Sequence, residues 1–328
     1  MPQKPPSVFV TRALTEAVMA RMEELFSATL NREDRALDRA ALVAAVAECD
    51  VLVPTITDRI NAELIAAAGE RLRLIANFGV GVDHIDLAAA RARNIIVTNT
   101  PGVLTEDTAD LAMALILAVP RRIGEGERRI MAGAWDGWKP VDMLGHRVHG
   151  KTIGIIGMGR IGRAIARRAA GFGMKIIYHN RHQLPEEKEV ALNARWCGTV
   201  EQLLCEAEIV SINCPHTPDT HLLLNADRIA LMQKHACLIN TARGEIIDED
   251  ALVAALEAGV IAGAGLDVHA HEPQVHPGLM RLPNAVLLPH MGSATHEGRT
   301  AMGEKVIANI RSWVDGHRPP DQVLEGWA

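Results

Sequence analysis

The chain has 328 residues, 48% of them hydrophobic, and a formal net charge of −6. That length allows roughly two domains with large cores, and the acidic balance excludes a global pull toward nucleic acid or anionic membrane. The opening Met-Pro-Gln-Lys-Pro-Pro lacks a signal-peptide apolar core, and the apolar stretch Leu111–Val119 is too short to span a bilayer, so a cytoplasmic protein with no nucleic-acid or membrane partner is expected.

In chain order, Ser7–Thr11, Asp50–Pro54, Leu72–Ala76 and Ile95–Thr98 read as short strands. Amphipathic stretches such as Leu14–Phe26 and Arg35–Ala47 lie between them, which predicts a parallel sheet covered by helices. A long apolar helix follows from about Thr105 and stops at Pro120. The charged, glycine-containing segment Ile123–Arg147 reads as irregular. A second β/α series has strands at Thr152–Ile156, Lys175–His179, Ile209–Asn213, Cys237–Asn240, Ala262–Asp267 and Ala285–Leu288. Its helices include Arg160–Ala170, one from Leu203 onward with a capping box at Thr199 and Gln202, and Asp248–Ala258 ended by Gly259. A last helix spans roughly Gly298–Val314, beyond the final strand, where it can return to the first series. The predicted fold class is therefore α/β, with a discontinuous first domain at 1–98 and 289–328 and a second at 99–288.

Five cysteines, Cys49, Cys197, Cys205, Cys214 and Cys237, form no C-x-x-C pair. An odd number without pairing suits reduced thiols that act as small buried hydrophobes. His269, His271 and His276 read as a solvated loop and not as a metal site, since no second ligand cluster of suitable spacing accompanies them.

The segment Gly157-Met158-Gly159-Arg160-Ile161-Gly162 follows a strand and opens a helix. Gly157 permits the tight turn, Gly159 lets backbone approach a pyrophosphate, and Gly162 lets helix and strand pack closely. The helix-start amides then hold the anion, which predicts dinucleotide binding. After the next strand, Asn180 stands where an NAD-preferring site usually carries an acid, and Arg181 and His182 follow. A carboxylate would repel a ribose 2′-phosphate, whereas an amide and a guanidinium can donate to it. NADP(H) is the expected cofactor, with NAD(H) used less well.

Three later segments, Asn240–Gly244, Leu266–Pro273 and Pro289–Thr295, each place polar residues just past the carboxyl end of a strand, where ligands bind in open α/β sheets. With the glycine motif and the loop Phe78-Gly79-Val80-Gly81, they resemble the D-2-hydroxyacid dehydrogenase family, most closely its glyoxylate/hydroxypyruvate reductases. The resemblance covers essentially the whole chain. It implies two Rossmann-like parallel-sheet domains around a cleft, one flavodoxin-like and one dinucleotide-binding, and a homodimer. It also implies reduction of a small 2-keto acid to the D-2-hydroxy acid.

Arg243, Glu272 and His290 match the family's catalytic arginine, glutamate and histidine. Arg243 suits gripping a carboxylate and polarising its neighbouring carbonyl. His290 suits proton donation near neutral pH, with Glu272 orienting the ring. The resemblance further assigns Val80 and Gly81 to the substrate carboxylate, Ser293 to a substrate hydroxyl, and Thr108, Pro215, Thr241 and Asp267 to the cofactor. Trp138, in Trp135–Pro140, matches an indole that reaches the neighbouring subunit's active site. Other readings stay open from sequence alone: lactate, phosphoglycerate, phosphite or formate oxidation, or a nucleotide-sensing corepressor-like protein.

Overall fold

The computed structural model describes residues 5–324; Met1–Lys4 of the opening segment and the ends of the expected boundaries at 1 and 328 lie outside the described residues. The chain divides into two compact units, 1–104 with 293–328, and 105–292. The first contains β1 (Ser7–Val10), α1 (Glu16–Leu25), β2 (Ser27–Leu30), α2 (Arg39–Glu48), β3 (Val51–Val53), α3 (Ala62–Ala67), β4 (Leu74–Ala76), α4 (Leu87–Ala92) and β5 (Ile96–Thr98). The second contains α5 (Thr105–Ala118), α6 (Ile123–Met131), β6 (Thr152–Ile156), α7 (Arg160–Gly171), β7 (Lys175–His179), α8 (Glu186–Leu192), β8 (Ala194–Trp196) and α9 (Val200–Glu206). It continues through β9 (Ile209–Ile212), α10 (Ala226–Ile229), β10 (Cys237–Asn240), α11 (Glu249–Glu257), β11 (Gly263–Leu266), α12 (Pro277–Arg281) and β12 (Ala285–Leu287); α13 (His296–Val314) returns to the first unit.

Both sheets are parallel throughout. The first has order β2-β1-β3-β4-β5, the flavodoxin-like arrangement, and the second β12-β11-β10-β9-β6-β7-β8. The expected α/β class with two Rossmann-like sheets is what the chain adopts. Central strands such as β3, β4, β9 and β10 are buried residue by residue, because helices cover both faces. In the first unit, α13 presses Met302, Val306, Ile307 and Ile310 onto Val8, Val10 and Leu74. Burial of each such side chain is worth about 1.5–3 kcal/mol, enough to hold a helix whose sequence neighbours lie in the other unit.

Local chemistry sets the helix starts. Asp248 accepts from the Ala251 amide at 3.0 Å. Thr199 Oγ1 accepts from Gln202 at 3.1 Å, and Gln202 Oε1 reaches back to the Gly198 amide at 3.2 Å, one residue before the capping residue. Three expectations change. Ile123–Met131, read as irregular, is helix α6. Two strands not anticipated, β2 and β8, form sheet edges. The cysteines are free, and Cys49, Cys197 and Cys237 are buried, but Cys205 is exposed and Cys214 half-buried. Burial pushes the Cys49 and Cys237 thiols to about 12 and Cys214 to about 11, so they are poor nucleophiles.

Candidate active site

The second sheet reverses its strand order between β6 and β9, and ligands of open α/β sheets bind outside the carboxyl ends of strands at such a point. The glycine turn sits there. Gly157 has φ +97, and a Cβ on it would lie 2.5 Å from the Cys214 amide nitrogen. Gly162 packs against the Gly157 carbonyl, whereas a Cβ at Gly159 would meet nothing within 4 Å. Gly157 and Gly162 are therefore required by the protein's own packing, and Gly159 keeps the space beside the α7 amides open. Arg160 is exposed, and Ile161 packs on the core beneath. Asn180 Oδ1 accepts from the Met158 amide at 2.7 Å, so its carbonyl oxygen braces the turn and its amide hydrogens face elsewhere. Arg181 and His182 are exposed on the same loop.

Two buried polar atoms nearby lack a protein partner: the Thr241 hydroxyl after β10 and Asn213 Oδ1 after β9. Orphaned polar atoms of this kind call for an explanation such as a ligand. Together with the open space at Gly159 and the uncapped start of α7, they fit a dinucleotide along these strand ends. Pro215 is exposed on the loop after β9.

Arg243, Glu272 and His290 follow three adjacent strands, β10, β11 and β12. His290 Nδ1 lies 2.7 Å from Glu272 Oε2. A carboxylate can only accept, so Nδ1 carries the proton and Nε2 is left for acid–base chemistry. Burial works against the Glu272 charge, but the His290 hydrogen bond and charge outweigh it, helped by the His269 amide; the carboxyl titrates below the ordinary glutamate range. Arg243 Nη1 donates to the Ala242 carbonyl at 2.8 Å, and Asn240 holds the Arg243 carbonyl at 2.8 Å.

Asp267 is the frame of this corner. It is buried, and its two carboxylate oxygens accept from the Met291 and Gly292 amides at 2.7 and 2.8 Å. Its carbonyl accepts from the His290 amide at 2.8 Å. His290 itself sits at φ +53, in the left-handed region. A histidine holds such a conformation only when its surroundings over-determine it, and the Asp267 clamp does so. Burial raises the Asp267 carboxyl above the ordinary aspartate range, and those amides and the His290 charge offset it only in part. Thr108 Oγ1 adds a bond to the Gly292 carbonyl at 3.1 Å.

The histidine-rich loop corrects an expectation. His269 is buried, only 5% exposed, and not solvated. Its Nε2 faces the Leu288 carbonyl at 3.0 Å, and its backbone amide donates to Glu272 Oε1 at 3.1 Å. His276 caps α12, and His271 is exposed. Among the described residues no cluster of three or more His, Cys, Asp or Glu could hold a metal. In the first unit, Val80 and Gly81 lie in the loop after β4, and Ser293 lies shortly before α13. Trp138 is 82% exposed on the second unit. The framing roles of Asp267 and His269 escape sequence reading, because a buried Asp or His is visible only through its partners.

A parallel sheet with a glycine turn at its switch point and an Arg, Glu and His after adjacent strands defines a nicotinamide-type oxidoreductase. Residues 113–292 match the D-isomer specific 2-hydroxyacid dehydrogenase, NAD binding domain family. The chain is 45% identical over 322 residues to a glyoxylate reductase of Thermococcus litoralis, covering 97% of this chain and 96% of that one. A solved protein from Thermus thermophilus superposes with TM-score 0.90 at 45% identity, over 97% of this chain and all of that one. An NADPH-dependent glyoxylate/hydroxypyruvate reductase from Sinorhizobium meliloti, in complex with NADP and malonate, gives TM-score 0.87 at 35% identity over 98% of each chain. The chain belongs to the D-isomer specific 2-hydroxyacid dehydrogenase family, and its activity is that of a 2-hydroxyacid dehydrogenase. No helix among the described residues is long and apolar enough to cross a membrane.

Proposed function

We propose that the protein is an NADPH-preferring glyoxylate/hydroxypyruvate reductase that converts a small 2-keto acid to its D-2-hydroxy acid. The observation that carries this reading is the His290–Glu272 pair at 2.7 Å, on the loops after β12 and β11, with Arg243 following β10, the next strand of the same sheet. A bound dihydronicotinamide supplies the hydride. Arg243 binds the substrate carboxylate and polarises the carbonyl through fixed guanidinium donors. Negative charge gathers on the carbonyl oxygen, and His290 Nε2 delivers its proton there. Glu272 holds the ring by Nδ1 and favours the protonated imidazole that this step consumes. Val80 and Gly81 contribute backbone donors to the carboxylate, and Ser293 serves the hydroxyl of hydroxypyruvate.

The Gly157–Gly162 turn, with Arg160 and Ile161, holds the pyrophosphate on the start of α7. Thr108, Pro215, Thr241 and Asp267 line the nicotinamide half. Asn180, Arg181 and His182 receive the ribose 2′-phosphate: with the Asn180 oxygen turned to Met158, its amide group and the Arg181 guanidinium remain as donors. NAD(H) is accepted less well, and no metal takes part. The first unit contributes the substrate loop, and the second holds the cofactor together with Arg243, Glu272 and His290. The protein acts in the cytoplasm as a homodimer.

The test is absorbance at 340 nm with glyoxylate, hydroxypyruvate, pyruvate and bulkier 2-keto acids, each with NADPH and NADH. Turnover is expected within the ordinary enzyme range, on the order of 1 to 1000 per second, with NADPH and the smallest acids preferred. Asn180→Asp with Arg181→Ala is expected to reverse the cofactor ratio of kcat/KM. An unchanged ratio would remove the 2′-phosphate assignment, and tight cofactor binding without turnover would favour a sensing protein instead.

A further inference from the structure

The loop after β4 is held by side chains that no catalytic role requires. Three consecutive carbonyls, those of Gly79, Val80 and Gly81, accept from buried asparagine amides. Asn77 Nδ2 donates to Gly79 O at 3.1 Å and to Gly81 O at 2.9 Å. Asn99 Nδ2, from the end of β5, donates to Val80 O at 2.8 Å. Both side chains are buried, at 0% and 2% exposure. The orientation of the Asn77 amide is fixed from its other end, since Oδ1 faces His84 Nε2 at 3.0 Å. The Gly79 carbonyl also accepts from the Thr100 amide at 3.0 Å.

In a planar trans peptide the carbonyl of one residue and the N–H of the next point in opposite directions, and these peptides are trans. Turning three carbonyls toward the asparagines therefore turns the N–H groups of Val80, Gly81 and Val82 the other way. None of the three donates to a protein acceptor among the described residues. A run of adjacent N–H groups of this kind forms a concavity for an anion. A second feature of the same unit points to negative charge. The half-buried Arg299 guanidinium sits 6.0 Å from the ring centroid of Phe78, the residue that opens the loop, and has no carboxylate partner among the described residues.

We propose that Asn77 and Asn99 are positioning residues for the substrate carboxylate, acting by holding the peptides of residues 79–82 with their N–H groups presented to it. This rests on the reading of the protein as a 2-keto acid reductase. It adds to that reading that carboxylate recognition depends on two side chains that never touch the substrate. Replacing either asparagine with an apolar residue leaves a buried carbonyl unsatisfied, and the peptide can rotate to find a partner, which withdraws an N–H from the substrate.

The experiment compares wild type with Asn99→Leu, Asn99→Ser and Asn77→Leu as full chains, using glyoxylate and its methyl ester, which keeps the carbonyl but lacks the charge. Asn99→Leu is expected to raise KM for glyoxylate about 10- to 100-fold, the equivalent of one charge-assisted hydrogen bond. Its kcat/KM on the ester should stay within about twofold and its NADPH Kd unchanged. Asn99→Ser, which retains a hydroxyl donor, should recover part of the loss. If Asn77→Leu does not fold, the two Asn99 variants decide. Equal losses on acid and ester, or a glyoxylate KM unmoved in Asn99→Leu, would overturn the proposal. Failure of the wild type itself to reduce any 2-keto acid is a separate result, and it would remove the functional reading beneath the proposal.

Discussion

In the proposed mechanism, the protonation of one pair of side chains, His290 and Glu272, sets the acid–base chemistry. Glu272 titrates below its ordinary value near 4.3 in the folded chain, because the His290 interactions outweigh burial. A lowered folded-state value means that the pair's contribution to stability is complete above the unfolded value and is lost as pH falls through the lower one. The Glu272 side chain is a third exposed, so solvent screens this contribution and its size is modest. Glu272→Gln is expected to flatten the fall in melting temperature on the acid side of that window, as measured by circular dichroism. In catalysis the same change replaces the carboxylate that orients Nδ1 with a neutral amide. The kcat should drop by about 10²-fold, the lower end of a general-acid contribution. His290→Gln should lose about 10²- to 10⁴-fold with folding intact. A kcat for Glu272→Gln equal to that of wild type would mean that Glu272 does not govern the ring.

At the scale of elements, the site depends on how the ends of β11 and β12 are tied. His269 donates from Nε2 to the Leu288 carbonyl, two residues before His290, while its amide holds Glu272. One buried residue thereby links the loop of Glu272 to the chain leading into His290. His269→Phe keeps a planar ring and removes the donor, leaving a buried carbonyl unpaired at a cost of about 1–3 kcal/mol. The expected result is a lower melting temperature together with a reduced kcat, and His269→Gln, whose amide can occupy the position of Nε2, should restore part of both. Equal kcat in all three proteins would show that the link is structural only. This tie was not legible in the sequence, whereas the glycine turn and the three strand-end segments were, because each requires a residue type at a fixed position after a strand. The central strands were legible too, as continuous apolar runs. The edges were not. β2, Ser27–Leu30, and β8, Ala194–Trp196, contain no buried residue, so neither carries the burial pattern that reveals a strand. Helix α6 escaped for a related reason: Gly124 and Gly126 weaken its propensity, and it buries nothing within its own unit.

The unused face of α6 poses a question for the whole molecule. Of the 16 large hydrophobic side chains exposed among the described residues, seven fall between residues 123 and 144: Ile123, Ile130, Met131, Trp135, Trp138, Val141 and Leu144. Met131 and Trp138 are 83% and 82% exposed. Isolated apolar side chains on a surface are ordinary, but so many along one helix and the segment after it lead us to propose an interface. Within the segment Arg129 pairs with Asp142 at 2.6 Å and with Asp136 at 3.3 Å. A second copy of the chain is the partner proposed here. Sedimentation at micromolar concentration should then give twice the 35.5 kDa chain mass. Met131→Asp would place a charge at the centre of a buried apolar contact, and such a charge is costly unless paired; the variant should sediment as a monomer. Trp138 separates assembly from specificity. If its indole narrows the substrate site of the neighbouring subunit, Trp138→Ala should remain a dimer while kcat/KM rises for bulky 2-keto acids relative to glyoxylate. A dimeric Trp138→Ala with an unchanged substrate ratio would leave the indole as packing alone, and a wild type that sediments as a monomer would require another occupant for this face.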